Sequence, residues 1–288
     1  MSELAITRNI RKRRELTRTV FGYAALIVFG ILFLMPFFWY ISTAFKPPTQ
    51  VYSIPPKWIP TPPTFDNFVK GWQTLPFNIY MLNTLFLTAM ATIGTLASSS
   101  LVAYGFARFR AKGKMVIFTI LLSTMMLPAQ ITLIPTYMIY NWLRWLDTFL
   151  PLIVPTFLGT GAFYIFLLRQ FFVSIPRELD EAAKIEGCGS FRVFISIILP
   201  LSKTALTTVF LFTIINVWND FMNQLIYLSS DKNYTIAVGL QFFNSKYGPQ
   251  QVNLLMAVSF ATILPLLILF FLGQRYFVKG IVMTGIKG

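Results

Sequence analysis

The sequence holds no histidine, which excludes imidazole catalysis and the commonest metal ligand together. Its one cysteine, Cys188, permits no internal disulfide and no thiolate metal cluster. Charge is scarce: only 12% of residues are charged, where a soluble domain carries about a quarter. Acidic residues are scarcer still, with 10 Asp and Glu against 24 Lys and Arg. No Walker A loop is present. At the Gly113-Lys114 pair, Arg108 stands where the first glycine belongs, and Met115 follows where Ser or Thr is needed. Gly159-Thr160-Gly161 opens like a dinucleotide fingerprint, but Tyr164 takes the third glycine's place. No catalytic or metal site is legible, and the chain is not read as an enzyme.

What fills the sequence instead is apolar: 56% hydrophobic and 17% aromatic residues. The excess lies in runs of about 20 residues, each long enough to cross the roughly 30 Å of hydrocarbon in a bilayer as a helix. This predicts an all-α polytopic membrane protein with about six spans, at about Val20–Phe45, Ile79–Phe106, Met115–Tyr137, Leu150–Phe172, Leu201–Leu228 and Val252–Leu272. The first should kink near Pro36, and the third should break at Pro128 and Pro135. Residues 1–19 form a basic amino-terminal segment, 20–275 the membrane domain, and 276–288 a basic tail. A proline-rich connector from Lys46 to Phe77 should form no long helix and favour extended or turn structure, with Trp58 and Trp72 suited to a membrane–water interface. Ser98, Ser99 and Ser100, with Gly94, give the second span a small-residue face for close helix packing.

The net charge of +14 could indicate nucleic-acid binding, but the positions of the charges argue for membrane orientation. Eighteen of the 24 basic residues fall in four places: the amino terminus, the turn at 108–114, the region around 169–203, and the tail. The opposite loops hold Lys46, Lys57, Lys70, Arg144, Lys232 and Lys246. Positive-inside reasoning then puts both termini and residues 174–203 on the cytoplasmic side of the cell membrane.

Residues 174–203 are the one long stretch between two apolar runs with a dense mix of both charge signs. Pro176 sits early, and Glu178, Asp180 and Glu181 suit the positive end of a helix dipole. Gly187 and Gly189 should close this helix, Ser190 should cap a second, and Leu179, Ala182, Ala183 and Glu186 should share a face. The spacing Glu181-Ala182-Ala183, three residues, Gly187, nine residues, Ile197-Ile198-Leu199-Pro200 resembles the EAA loop of ABC-importer permeases. The match extends to MLPAQITLIPTYMI, to Trp218-Asn219-Asp220-Phe221 and to the ending QRYFVKGIVMTGIKG. In that order the segments look like the carbohydrate branch, most similar to the maltose-type second permease. Glu186 stands where the family usually has Asp, and Cys188 where a small residue such as Ala is common.

The resemblance implies a type I importer fold and a coupling role for Glu181, Ala182, Ala183, Gly187, Ile198 and Pro200. It also implies a second permease in a heterodimer, two ATPase subunits that hold ATP and magnesium, and an extracytoplasmic sugar-binding protein. The rival class is a secondary transporter or channel working without an ATPase. Such proteins show internal repeats and buried carboxylates, whereas no repeat is evident here and Asp220 is the only acidic residue well inside an expected span. Asn216, Asn219, Asp220 and Asn223 stand at helical spacing on the fifth span, with Tyr227 continuing the stripe. Polar groups so placed should face protein or a water-filled path. They are candidates both for sugar contact and for gluing the helix to its neighbours.

Overall fold

The computed structural model describes residues 3–247 and 251–285, and all regular structure among the described residues is helical. In chain order the α-helices are α1 (Glu3–Ala44), α2 (Pro48–Val51), α3 (Asp66–Thr74), α4 (Phe77–Arg108), α5 (Lys114–Ser123), α6 (Ala129–Trp142), α7 (Leu150–Phe157) and α8 (Ala162–Ser174). There follow α9 (Glu178–Ile185), α10 (Ser190–Val193), α11 (Leu199–Leu201), α12 (Lys203–Asn219), α13 (Phe221–Tyr227), α14 (Ile236–Tyr247) and α15 (Val252–Gly285). The last three residues of the basic tail, 286–288, lie outside the described residues.

Four continuous segments are long and apolar enough to cross a membrane: Leu16–Ala44, Phe77–Arg108, Leu150–Ser174 and Val252–Gln274. Two more crossings arise if each of two bent pairs is one span. These are Lys114–Met126 with Gln130–Trp142, turned by 103°, and Ser190–Leu201 with Lys203–Asn219, turned by 80°. The expected third span is therefore broken at Pro128, which precedes α6 in extended conformation, while Pro135 lies inside α6 without ending it. The expected fifth span starts within two residues of its place, at Lys203, and is corrected at its other end. Its helix turns sharply at Ser202 and stops at Asp220, whose ψ of 84° takes the backbone out of the helix. Helix α1 continues past the expected start at Val20 and runs through Pro36.

The chain divides into two compact units, the smaller made of residues 1–74 and 246–261 and the larger of 75–245 and 262–288. In the smaller unit, Asn67 is a buried knot. Its amide donates to the carbonyls of Ala44 and Lys46, each at 2.8 Å, and its oxygen accepts from Asn253 at 2.9 Å. The proline-rich connector is thereby sewn to the end of α1, and its backbone groups find partners that proline cannot supply. Trp58 packs edge-on against Trp39, their ring centroids 4.9 Å apart. Lys46 is fully buried, with Nζ 3.5 Å from the Trp39 ring centroid. Burial pushes its ammonium pKa down.

The larger unit is built on α4, which packs against α7, α8 and α12. The small-residue face expected on the second span is what lets it do so. A Cβ on Gly94 would lie 2.3 Å from Thr156 Oγ1 and 2.6 Å from Phe157 Cδ2. The Ser98 hydroxyl donates to the Thr156 carbonyl at 2.6 Å. Toward one end of α4 the core is Ala103, Tyr104 and Ala107, packed with Ile165, Leu168, Phe172, Val193, Phe194, Ile198 and Val209.

Candidate functional site

Residues 174–203 form a helix, a tight bend and a second arm. Helix α9 starts after Arg177 with Glu178, Asp180 and Glu181 in its first turn. These carboxylates sit among backbone N–H groups that have no partner within the helix, where negative charge is stabilised. Gly187 closes the helix with φ +82°. The Gly187 N–H donates to the Lys184 carbonyl at 3.0 Å and the Cys188 N–H to Ala183 at 2.9 Å. This pair of bonds is a Schellman closure, which requires a left-handed residue at that point. Gly189, expected to share the task, is instead extended and precedes α10, so Ser190 is the first helical residue and not the cap.

The faces of α9 differ from the expected grouping. Asp180 and Ala183 turn inward and are buried, while Glu181, Ala182 and Glu186 are exposed. Ala183 belongs to the core beside Ala107, Phe172 and Val193. Leu179 is 41% exposed and Ile185 88% exposed. The exposed isoleucine at the tip was not singled out in the sequence, although its place three and four residues from Ala182 and Glu181 puts it on their face. On the second arm, Ile198 is fully buried at the end of a π turn over Phe194–Ile198, and Pro200 lies in α11. Proline cannot donate to a carbonyl one turn back, and the wider turn just before it accommodates that lost bond.

Three side chains hold the loop to α4. The Arg108 guanidinium donates from Nη1 and Nη2 to the Ile175 carbonyl, each at 3.1 Å. Its Nε lies 3.0 Å from Asp180 Oδ2, with both side chains nearly buried. That contact is an ion pair without an aligned hydrogen bond, and Asp180 Oδ1 has no hydrogen-bond partner among the described residues. The Tyr104 hydroxyl donates to the Ser190 carbonyl at 2.9 Å. Arg177 Nη2 reaches the Ala107 carbonyl at 3.5 Å. Sequence reasoning counted Arg108 as a topology charge and Asp180 as a helix-dipole partner; their opposite charges on the same side of the membrane were the available signal.

The polar stripe expected on the fifth span does not lie along one helix. Asp220 ends α12 and caps α13, accepting from the Asn223 N–H at 3.2 Å and from the Asn223 amide at 3.0 Å. An Asp whose carboxylate captures the N–H three residues on starts a new helix rather than continuing the old one. Asn219 donates to its own helix at the Ile215 carbonyl, and Asn216 donates to the Tyr164 hydroxyl, both at 2.8 Å. Asn216, Asn219 and Asn223 remain exposed, but Tyr227 is buried, its ring edge-on to Tyr140 at 5.2 Å. The four polar residues thus gather around a helix break, and the aromatic is removed from them.

A second polar node escaped sequence reasoning. Asp147 sits in the left-handed region with φ 57°, a conformation that aspartate tolerates better than most residues. Its N–H donates to the Tyr227 carbonyl at 2.8 Å. Its carboxylate accepts from the N–H groups of Ser229 and Ser230 at 3.0 and 2.9 Å, and also from the Ser230 hydroxyl and the Asn233 amide. Burial would raise its pKa, but these donors outweigh burial and hold the carboxyl well below the usual range. The turn before α7 is thus pinned to the loop after α13. That loop is also held by Asn83 of α4, whose amide donates to the Lys232 and Tyr234 carbonyls at 2.8 Å each.

The chain as a whole is similar to known proteins. Residues 96–283 match the family described as binding-protein-dependent transport system inner membrane component. The chain is 34% identical to the probable ABC transporter permease protein YurM of Bacillus subtilis, over 93% of this chain and 89% of the relative. It is 34% identical to the sn-glycerol-3-phosphate transport system permease protein UgpE of Yersinia enterocolitica, over 95% and 98%. With the arabinooligosaccharides transport system permease protein AraQ of B. subtilis it shares 31% over 91% and 93%. A chain of a bacterial ABC transporter involved in the import of the acidic polysaccharide alginate superposes with a TM-score of 0.81 at 22% identity, covering 92% of this chain and 98% of that one. On the family match and these relatives, this chain belongs to the inner-membrane components of binding-protein-dependent transport systems.

Proposed function

We propose that the chain is one of two permease subunits in an ATP-driven importer that brings a sugar, an oligosaccharide or a related carbohydrate, into the cell. The observation that carries this reading is the 174–203 loop, whose α9 is held from behind by α4 while Glu181, Ala182 and Ile185 are left outward. A small, mixed-charge, apolar-tipped face on a rigid mount suits docking into a cleft on an ATPase. Ala182 gives closeness, Glu181 a charge for a basic partner, and Ile185 an apolar anchor. Ala183, Gly187, Ile198 and Pro200 act behind that face, by keeping the loop's shape. ATP and magnesium are bound by two separate ATPase subunits, and substrate arrives from an extracytoplasmic binding protein. Both termini and the loop face the cytoplasm, a reading that the distribution of basic residues supports. The tail beyond Lys279 touches the ATPase pair.

The sugar assignment draws on a relative named for arabinooligosaccharides and on a neighbour involved in alginate import, while a relative named for sn-glycerol-3-phosphate, a phosphorylated triol, supplies the rival cargo. Asn216, Asn219, Asp220 and Asn223 are the chain's candidates for contact with the cargo. Amides and a carboxylate at a helix break offer donors and acceptors to hydroxyls, and their exposure leaves some of these groups free for a passing ligand. The test is uptake by proteoliposomes holding this chain, its partner permease, the ATPases and the binding protein. Labelled glucose, maltose, arabinotriose, alginate trisaccharide and sn-glycerol-3-phosphate serve as the panel. ATP-dependent entry of one of the carbohydrates is expected. Uptake by this chain alone without ATP would overturn the reading.

A further inference from the structure

The strongest unassigned feature is the pairing of Arg108 with Asp180. A charge on the last residue of a spanning helix normally points to water or lipid headgroups, yet the Arg108 side chain is only 5% exposed and the Asp180 side chain 11%. Burying two charges is costly unless they pair, and removing either one leaves the other stranded. Apolar residues would fill the same space at lower cost, so packing alone gives no reason for the pair.

Its geometry is that of a grip. One guanidinium holds the loop at two points: the Ile175 carbonyl, before α9 begins, and the carboxylate in the first turn of α9. One turn back along α4, the Tyr104 hydroxyl takes the second arm at Ser190. Both arms of the loop are therefore fastened to a single helix. At its opposite end that helix is fastened again: Asn83 donates to the Lys232 and Tyr234 carbonyls, and Thr84 Oγ1 accepts from the Ile236 N–H at 2.9 Å. A helix of 32 residues spans about 48 Å. It is hydrogen-bonded through side chains near each end and packed close along its middle at Gly94 and Ser98.

We propose that Arg108 and Asp180 are positioning residues that make α4 and the coupling helix α9 move as one body, so that displacement of α9 by the ATPase is delivered to the 229–236 loop at the far end of α4. The proposal rests on the ATP-driven import reading above. It requires a planar fork at position 108, because only a guanidinium reaches a carbonyl and a carboxylate from one rigid plane.

The experiment uses the reconstituted importer with three variants: Arg108→Lys, the charge swap Arg108→Asp with Asp180→Arg, and the neutral pair Arg108→Leu with Asp180→Leu. The neutral pair strands no charge and keeps the loop packed, so it accumulates and assembles even where single changes do not. Three quantities are read: ATPase retained on affinity-purified permease, hydrolysis stimulated by the loaded binding protein, and panel compound taken up per ATP hydrolysed. The expected result is normal assembly of the neutral pair with stimulation and uptake per ATP down about tenfold. Arg108→Lys should fall between it and the parent, and the swap should recover part of the loss. Two results overturn the proposal: full stimulation and normal uptake per ATP in the neutral pair, or failure of even that pair to assemble, which would make the ion pair a requirement of folding. A parent complex that shows no ATP-dependent uptake would instead remove the import reading, so the two failures are distinguishable.

Discussion

At the scale of single residues, the 174–203 loop separates backbone roles from surface roles. Gly187 has open space around its α-carbon, with nothing within 4 Å of a Cβ built there, but its φ is +82°. Only its backbone demands glycine. Gly187→Val should therefore strain the closure of α9 by about 1–3 kcal/mol and reduce ATPase pull-down, while Gly189→Ala, at an extended position, should leave pull-down within experimental error. The Glu-Ala-Ala signature divides in the same way. Ala183 is 7% exposed in the core, so Ala183→Trp overpacks the loop by about 1–3 kcal/mol and lowers the amount of folded permease. Ala182→Trp faces outward, and it should spare accumulation but block ATPase binding. The sequence placed both alanines on one docking face. It did not show that α9 turns Asp180 and Ala183 inward, because that choice is made by Arg108 and the α4 core, far off in the chain.

Asp147 gives a residue-scale prediction with a sign. Its folded pKa is held below the usual value, so its carboxylate contributes stability wherever it is ionised in both folded and unfolded chains, above about pH 4. That contribution is lost as pH falls from there through the lower folded value. Amide exchange of residues 229–234 should be unaffected between about pH 7 and 5 after correction for intrinsic rates, and protection should drop only in stronger acid. In Asp147→Asn the same segment should exchange faster at neutral pH, because an amide nitrogen replaces one acceptor oxygen.

At the scale of elements, long apolar runs were legible and interruptions were not. The spans at 77–108, 150–174 and 252–274 fall where hydropathy puts them, since twenty consecutive apolar residues have few alternatives to a helix in lipid. The 80° turn at Ser202 falls at the expected boundary between the loop's second arm and the fifth span; its angle was not legible, because the second arm's Val193, Phe194 and Ile198 share a core with Tyr104 and Val209 that forms only on packing. The break at Asp220 was locally legible. Asp followed three residues later by an N–H it can capture is an N-cap signal, but read as helix spacing it became part of a stripe. Close packing of α4 on α7 carries its own test. Gly94→Val should cost about 1–3 kcal/mol by overpacking, seen as a lower melting temperature of the detergent-purified complex. Gly105→Ala, with nothing within 4 Å of its added Cβ, should be tolerated.

For the whole molecule, the composition sets the medium in which it folds: no residue in the most apolar stretch of α1 is buried within the chain, so lipid or another subunit must cover it. The single cysteine makes the orientation measurable without engineering. Cys188 is partly exposed on the loop, and a membrane-impermeant maleimide should label it in inside-out vesicles of the assembled or unassembled permease and not in intact spheroplasts. The reverse result would invert the assigned topology. The interlocking of loop and spanning helix was beyond the sequence for a general reason. Hydropathy assigns each segment to a phase, whereas Arg108 and Asp180 are 72 positions apart and meet only after the segments have packed.

An isoleucine 88% exposed on the outward face of α9 also bears on how the protein must be made. On a face proposed to dock into a partner, an apolar side chain this exposed is one that the partner would cover. A permease synthesised in excess over its partner would hold Ile185 out to water, offering a foothold to chaperones and membrane proteases. On the proposed docking role, balanced synthesis of the subunits becomes a requirement written into the surface of one helix: the residue proposed to anchor the assembly would also mark the chain that fails to find it.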